Sequence, residues 1–208
     1  NNTSLMITQT GGACRASNYV GFLRKALKDS GFTQVPVISL SAQGIESNPG
    51  FNYTYKMIRN SMVAILYGDL LDKLTLGTRP YEKIKGSTNI LYNKWMKILL
   101  EAVKTYNKKE YAENVNSMVK SFDGLEVENV KKPRVGIVGE ILVKYHPTAN
   151  NQLIEILEKE GAEAVVNDLA DFLLYCLYNG KVKAEQLGKS KLGILAGDIG
   201  IKFIEHYR

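Results

Sequence analysis

The sequence predicts an α/β fold: Rossmann-like parallel β-α-β units with a helical middle section. Three observations predict it. Two short apolar runs, Leu5-Met6-Ile7 and Val135-Gly136-Ile137-Val138, each lead through glycine toward a helical pattern. Each is followed by a second strand-like run, Val35-Pro36-Val37-Ile38-Ser39-Leu40 in the first case and Glu163-Ala164-Val165-Val166 in the second. Between the two units, apolar residues recur at helical spacing with no strand-like alternation.

The first unit reads as a strand from Ser4 to Gln9, a helix from about Ala16 to Asp29 and a strand from Val35 to Leu40. Tyr19, Phe22, Leu23, Ala26 and Leu27, spaced three and four apart, define the helix, and Gly31 ends it. Residues 41–52, with Gly44, Asn48, Pro49 and Gly50, have turn chemistry throughout. The middle section reads as three helices. The first runs from about Tyr53 to Thr78, with Gly68-Asp69 inside it. The second is capped by Ser87 or Thr88 and carries Leu91, Trp95, Ile98, Leu99 and Ala102. The third runs from about Lys109 to Phe122, stopped by Asp123-Gly124. Lys131-Lys132-Pro133 opens the second unit, with a strand at Val135 to Val138, a helix from about Asn150 to Gly161 and a strand at Glu163 to Val166. A crossover of this length implies a parallel pair. Leu169 to Asn179 and about Lys181 to Arg208 read as helix, and Gly193, Gly197 and Gly200 are assigned to helix packing. The expected segments are therefore 1–52, 53–130 and 131–208. The chain opens on Asn1 and enters a strand almost at once, which is expected of a fragment of a larger protein.

The 208 residues are enough to bury a core without covalent staples. Lys and Arg exceed Asp and Glu by 27 to 21, a net charge of +6, but the lysines are spread along the helical segments. A solvated helical surface is the reading this favours, ahead of a phosphate-bearing ligand, and no nucleic-acid partner is expected. Two cysteines make no disulfide framework, and the N-terminus has no signal-peptide pattern, so a cytoplasmic location is expected. The apolar stretches are too short and interrupted to span a bilayer, so no membrane role is expected.

Chemistry concentrates first at Thr8-Gln9-Thr10-Gly11-Gly12-Ala13-Cys14-Arg15. A strand-to-helix junction there sets the Cys14 thiol at a helix N-terminus, where unpaired N–H groups favour a thiolate, a metal–sulfur cluster or an anion. Gly11 and Gly12 let the backbone approach a bound group closely, and Arg15 adds a fixed positive charge. The competing reading is a small buried residue at a tight turn. Cys176 lies in an apolar helical stretch where core packing is the simpler expectation, and neither cysteine has a CxxC partner. Gly139-Glu140 follows a buried strand at the carboxyl edge, where open α/β sheets place ligands, although a surface charge is as common there. His146, before Pro147, is either a base or a residue that shapes its turn. Arg79-Pro80-Tyr81-Glu82 reads only as a helix terminus.

Several runs, taken in order, carry a resemblance: Thr8 to Asn18 (TQTGGACRASN), Val35 to Leu40 with Pro49-Gly50-Phe51, Tyr67-Gly68-Asp69-Leu70-Leu71, Arg79-Pro80-Tyr81-Glu82, Val135 to Glu140 (VGIVGE) and Asp168 to Asn179 (DLADFLLYCLYN). Together they resemble the 2-hydroxyglutaryl-CoA dehydratase and benzoyl-CoA reductase component family, especially the homologous region of large activase-related proteins. The resemblance spans most of the chain. It implies a 4Fe-4S cluster held largely by cysteines, reduced by an ATP-dependent activase with an actin-like fold, and delivering one electron to an acyl-CoA in anaerobic metabolism. By position, Cys14 and Cys176 match family cysteines and would be cluster ligands. Gly11 and Gly12 would shape the cradle, Arg15 would compensate charge, and Glu140 would line the ligand cleft. Ala13 stands where the family pattern has glycine, and Asn167 where it has proline. At least one further ligand is expected upstream of Asn1, so the cluster is expected to be absent or incomplete in this chain and no independent catalysis is expected. Two other readings stand beside this one. The chain would be a non-catalytic module docking an activase domain, or an acyl-CoA enzyme with Cys14 as nucleophile and His146 as base.

Overall fold

The computed structural model describes residues 3–9, 14–40, 50–188 and 191–208, and divides into two compact units, Asn1–Tyr53 and Thr54–Arg208. It is an α/β chain in which helix predominates, with two separate two-stranded parallel sheets among the described residues.

In the first unit, strand β1 (Leu5–Thr8) pairs in parallel with β2 (Val37–Leu40), in the register Leu5 to Val37 through Thr8 to Leu40, and helix α1 (Tyr19–Asp29) connects them. The second strand starts two residues later than the apolar run because Pro36 has no N–H to give the ladder; its carbonyl still accepts from Leu5 N at 3.0 Å. The helix starts at Tyr19, the first of its periodic residues, rather than at about Ala16 as expected. A 3₁₀ turn, Arg15–Asn18, precedes it, closed by Ser17 N donating to the Cys14 carbonyl at 3.1 Å. The 41–49 part of the expected loop lies outside the described residues.

The second unit is built around α2 (Tyr55–Thr78), which runs unbroken through Gly68-Asp69. Its buried residues, Met62, Val63, Leu66, Tyr67 and Leu71, do not keep to one stripe because several elements surround it. Against it pack α3 (Ser87–Lys104), α4 (Lys108–Asp123), α7 (Leu169–Gln186), α8 (Lys191–Tyr207) and strand β4 (Glu163–Val166). Trp95 and Leu99 of α3, Met118 and Phe122 of α4, Leu174 of α7 and Ile204 of α8 complete one core. Among the described residues no helix is long and apolar enough to cross a membrane.

Strand β3 (Arg134–Ile137) pairs in parallel with β4, from Arg134 opposite Glu163 to Ile137 opposite Val166. The crossover differs from its expected single helix. A short helix, α5 (Ile141–Tyr145), a 3₁₀ turn at Pro147–Asn150 and α6 (Leu153–Lys159) follow one another, with Asn151 and Gln152 both at positive φ. The C-terminal helices also divide later than expected: α7 continues through Gly180 to Gln186.

Arg79-Pro80-Tyr81-Glu82 joins the helical section to the second β-α-β unit rather than only ending a helix. The Arg79 guanidinium grips Glu158 of α6 through two bonds of 2.8 Å, and Tyr81 Oη donates to Glu163 of β4 at 2.8 Å. Glu82, 5% exposed, caps α3: its carboxylate accepts from Gly86 N at 2.6 Å and Thr88 N at 2.9 Å. The cap expected from Ser87 or Thr88 is therefore supplied from outside the helix. Gly86, at φ 89, turns the chain into α3.

Candidate functional site

The carboxyl ends of the parallel strands hold most of the residues singled out from the sequence. At the end of β1, Gln9 is the organising side chain. Its Nε2 donates to the Ser17 carbonyl at 3.1 Å, and its Oε1 accepts from Ser39 Oγ at 2.6 Å. It thereby ties β1, the turn after Cys14 and the buried end of β2 together. Cys14 itself is exposed, in extended backbone, and makes no side-chain capping bond. Because α1 begins at Tyr19, the thiol precedes a single 3₁₀ turn and not the first turn of the α-helix, which weakens the dipole argument for a thiolate. Arg15 is the first residue of that turn and is exposed. Gly11 and Gly12 lie outside the described residues.

At the end of β3, Gly139 has φ 142, backbone that favours glycine, and a Cβ there would meet nothing within 4 Å. Glu140 follows as the N-cap of α5, its Oε2 accepting from Leu142 N at 3.1 Å and Val143 N at 3.3 Å. It is half-buried, and this capping role accounts for a carboxylate at that position. Next to it, Lys144 is only 9% exposed, its ammonium 4.3 Å from the centre of the Tyr145 ring and 5.9 Å from that of Phe172. Tyr145 Oη donates to the Asn167 carbonyl at 2.8 Å, linking α5 to the end of β4. His146 is exposed at the end of α5. Its N–H donates to the Leu142 carbonyl, and its own carbonyl accepts from Ala149 and Asn150, so it serves the turn.

At the end of β4, α7 is capped from a distance. Asp69, on α2, accepts from Leu169 N and Ala170 N, both at 2.8 Å. Burial pushes its carboxyl above the ordinary range, opposed by those two N–H groups. Asp168 pairs with Lys73 at 3.5 Å. Cys176 lies about two turns into α7 and is exposed, contrary to the core packing that its apolar surroundings suggest. Nothing in the sequence around Gln9 or Asp69 marks either as an anchor: the partners of Gln9 come with the turn and with β2, and those of Asp69 lie at positions 169 and 170.

Cys14 and Arg15 belong to the first unit, Glu140 and Cys176 to the second. Among the described residues, no three His, Cys, Asp or Glu side chains form a group that could hold a metal ion. A four-iron cluster needs about four protein ligands, usually thiolates. The two thiols of this chain do not make a complete donor set. No family model, curated protein or solved structure matches the chain.

Proposed function

We propose that this chain is a domain of an acyl-CoA dehydratase activase-related protein in which Cys14 and Cys176 are each thiolate ligands for iron–sulfur binding that other residues complete. Such a site serves low-potential electron transfer to an acyl-CoA. The reading rests on the ordered run of family-like motifs, and one observation carries it: both cysteines are exposed rather than packed into a core. An accessible thiol is available to a metal, whereas a cysteine packed as a structural core residue is inert. Gln9 supports the role of Cys14 by holding the turn that follows it. We assign to Gly11 and Gly12 the shaping of the cradle, to Arg15 charge compensation, and to Glu140 the positioning of α5 beside the ligand cleft. Each parallel β-α-β unit is read as Rossmann-like.

The partner is an ATP-dependent activase, as domain or subunit. Tyr175, Tyr178 and Val182 form an exposed stripe on α7 beside Cys176, at 63%, 47% and 45% exposure. A reductant must approach the ligands it serves, and this stripe gives it an apolar surface to cover. The test is anaerobic reconstitution, with iron and sulfide, of the longer parent protein that supplies the remaining ligands, followed by iron analysis, absorption and paramagnetic spectroscopy. Cys14→Ala and Cys176→Ala are each expected to lower the bound iron and the paramagnetic signal of the cluster. Iron uptake unchanged in either variant overturns the assignment of that cysteine.

A further inference from the structure

Lys144 is the buried charge that the proposed function leaves without a role. Its side chain rises from α5, just beyond β3, and its ammonium lies against Tyr145 and against Phe172 in the first turn of α7, just beyond β4. It therefore sits between the two elements that leave the carboxyl ends of a parallel pair, the place where open α/β sheets bind their ligands.

The acids around it are already engaged. Glu140 caps α5, Asp69 caps α7, Asp168 pairs with Lys73, and Asp171 pairs with Arg208 at 2.6 Å. Among the described residues, neither a carboxylate nor another acceptor bonds to the Lys144 ammonium. The two rings attract the cation through their faces but accept none of its three N–H bonds in the manner of an oxygen. The lysine stem is buried between α5 and α7, and its ammonium is left to bond with water or a ligand. At the end of β3, a Cβ on Gly139 would meet nothing within 4 Å, and Val138 is 82% exposed.

We propose that Lys144 anchors an oxyanion-binding site at the carboxyl ends of β3 and β4, taking a phosphate or carboxylate group of a small ligand. The site stands independently of the iron–sulfur reading, and neither result below bears on iron uptake by the thiols.

The test is a titration of the isotopically labelled 1–208 chain with inorganic phosphate and, separately, with acetate, following the backbone amide resonances of Gly139 and Asn167. Saturable shifts at both amides are expected with at least one anion. Phosphate alone identifies a phosphate-bearing ligand, and an equal or stronger response to acetate identifies a carboxylate. Lys144→Met keeps the aliphatic stem between the rings and is expected to weaken binding about tenfold or more, the scale of one charge-assisted bond. Lys144→Arg keeps the charge and retains binding. The site is overturned if neither anion shifts these amides in the wild-type chain, a result that needs no variant to fold. It is equally overturned if Lys144→Met binds as tightly as wild type.

Discussion

Glu82 shows how much of this molecule turns on single polar side chains placed by distant parts of the chain. Its carboxylate fills the N-terminus of α3, and burial alone would push its pKa up. The bonds from Gly86, Thr88 and Ser87 more than offset burial and hold it below the ordinary range. Glu82→Ala is expected to lower stability by about 2–3 kcal/mol in urea denaturation, because it removes a buried ionic cap and leaves N–H groups unmet. The sign of the pH effect follows from the lowered pKa. The contribution is present above the ordinary carboxylate range and is lost as pH falls through the folded value, so the difference between Glu82→Ala and wild type narrows in acid. Cys14 and Cys176 were legible as points of interest from sequence alone. Their exposure was not, since an apolar run such as the one around Cys176 is read as core whichever way one residue faces.

At the scale of elements, periodicity located α1, α2, α3, α4, α7 and α8, and apolar runs located the four strands among the described residues. Boundaries set by other segments were hidden. The helix α5 is five residues long, too short to show a period, and it exists because Glu140 caps it. The expected break between Asn179 and Lys181 is absent: α7 continues through Gly180, a residue that costs a helix interior only about 1 kcal/mol, and packs on α8. The start of α7 depends on Asp69. Asp69→Ala is expected to cost about 1–2 kcal/mol and to fray the first turn of α7, read as faster hydrogen exchange at the amides from Leu169 to Phe172. Asp69→Asn, which keeps one acceptor oxygen, should lose less. Equal exchange in all three proteins would mean that the cap is dispensable.

Across the whole second unit, aromatic rings link the helices that the core brings together. Tyr67 and Tyr111 lie 4.8 Å apart, Tyr106 and Tyr207 5.6 Å, and Tyr55 meets Tyr207 through their hydroxyls at 3.2 Å. Burial pushes the Tyr111 phenol up to about 12, and the bond with Tyr55 does the same for Tyr207. Both are neutral in the folded chain at a pH where the tyrosines of the unfolded chain, with ordinary phenol pKa values of about 10, have begun to ionise. Stability is therefore expected to hold up to about pH 10 and to fall as pH rises toward 12, with tyrosinate absorbance appearing together with loss of helix. Tyrosinate appearing near pH 10 while the helices persist would contradict this. Composition showed 12 tyrosines but not that five of these close on one another, because they come from opposite ends of the unit.

The position of α2 has a consequence for synthesis. Its cap contacts to α7 span 100 and 101 residues, and its Tyr55 reaches a partner 152 residues on. At a translation rate of roughly 5–20 residues per second, α2 waits on the order of ten seconds for the α7 N-terminus that Asp69 holds. Until β4 and then α7 emerge, its apolar circumference has only α3 and α4 to cover it. The emerging chain is therefore most in need of a chaperone before its last two helices leave the ribosome.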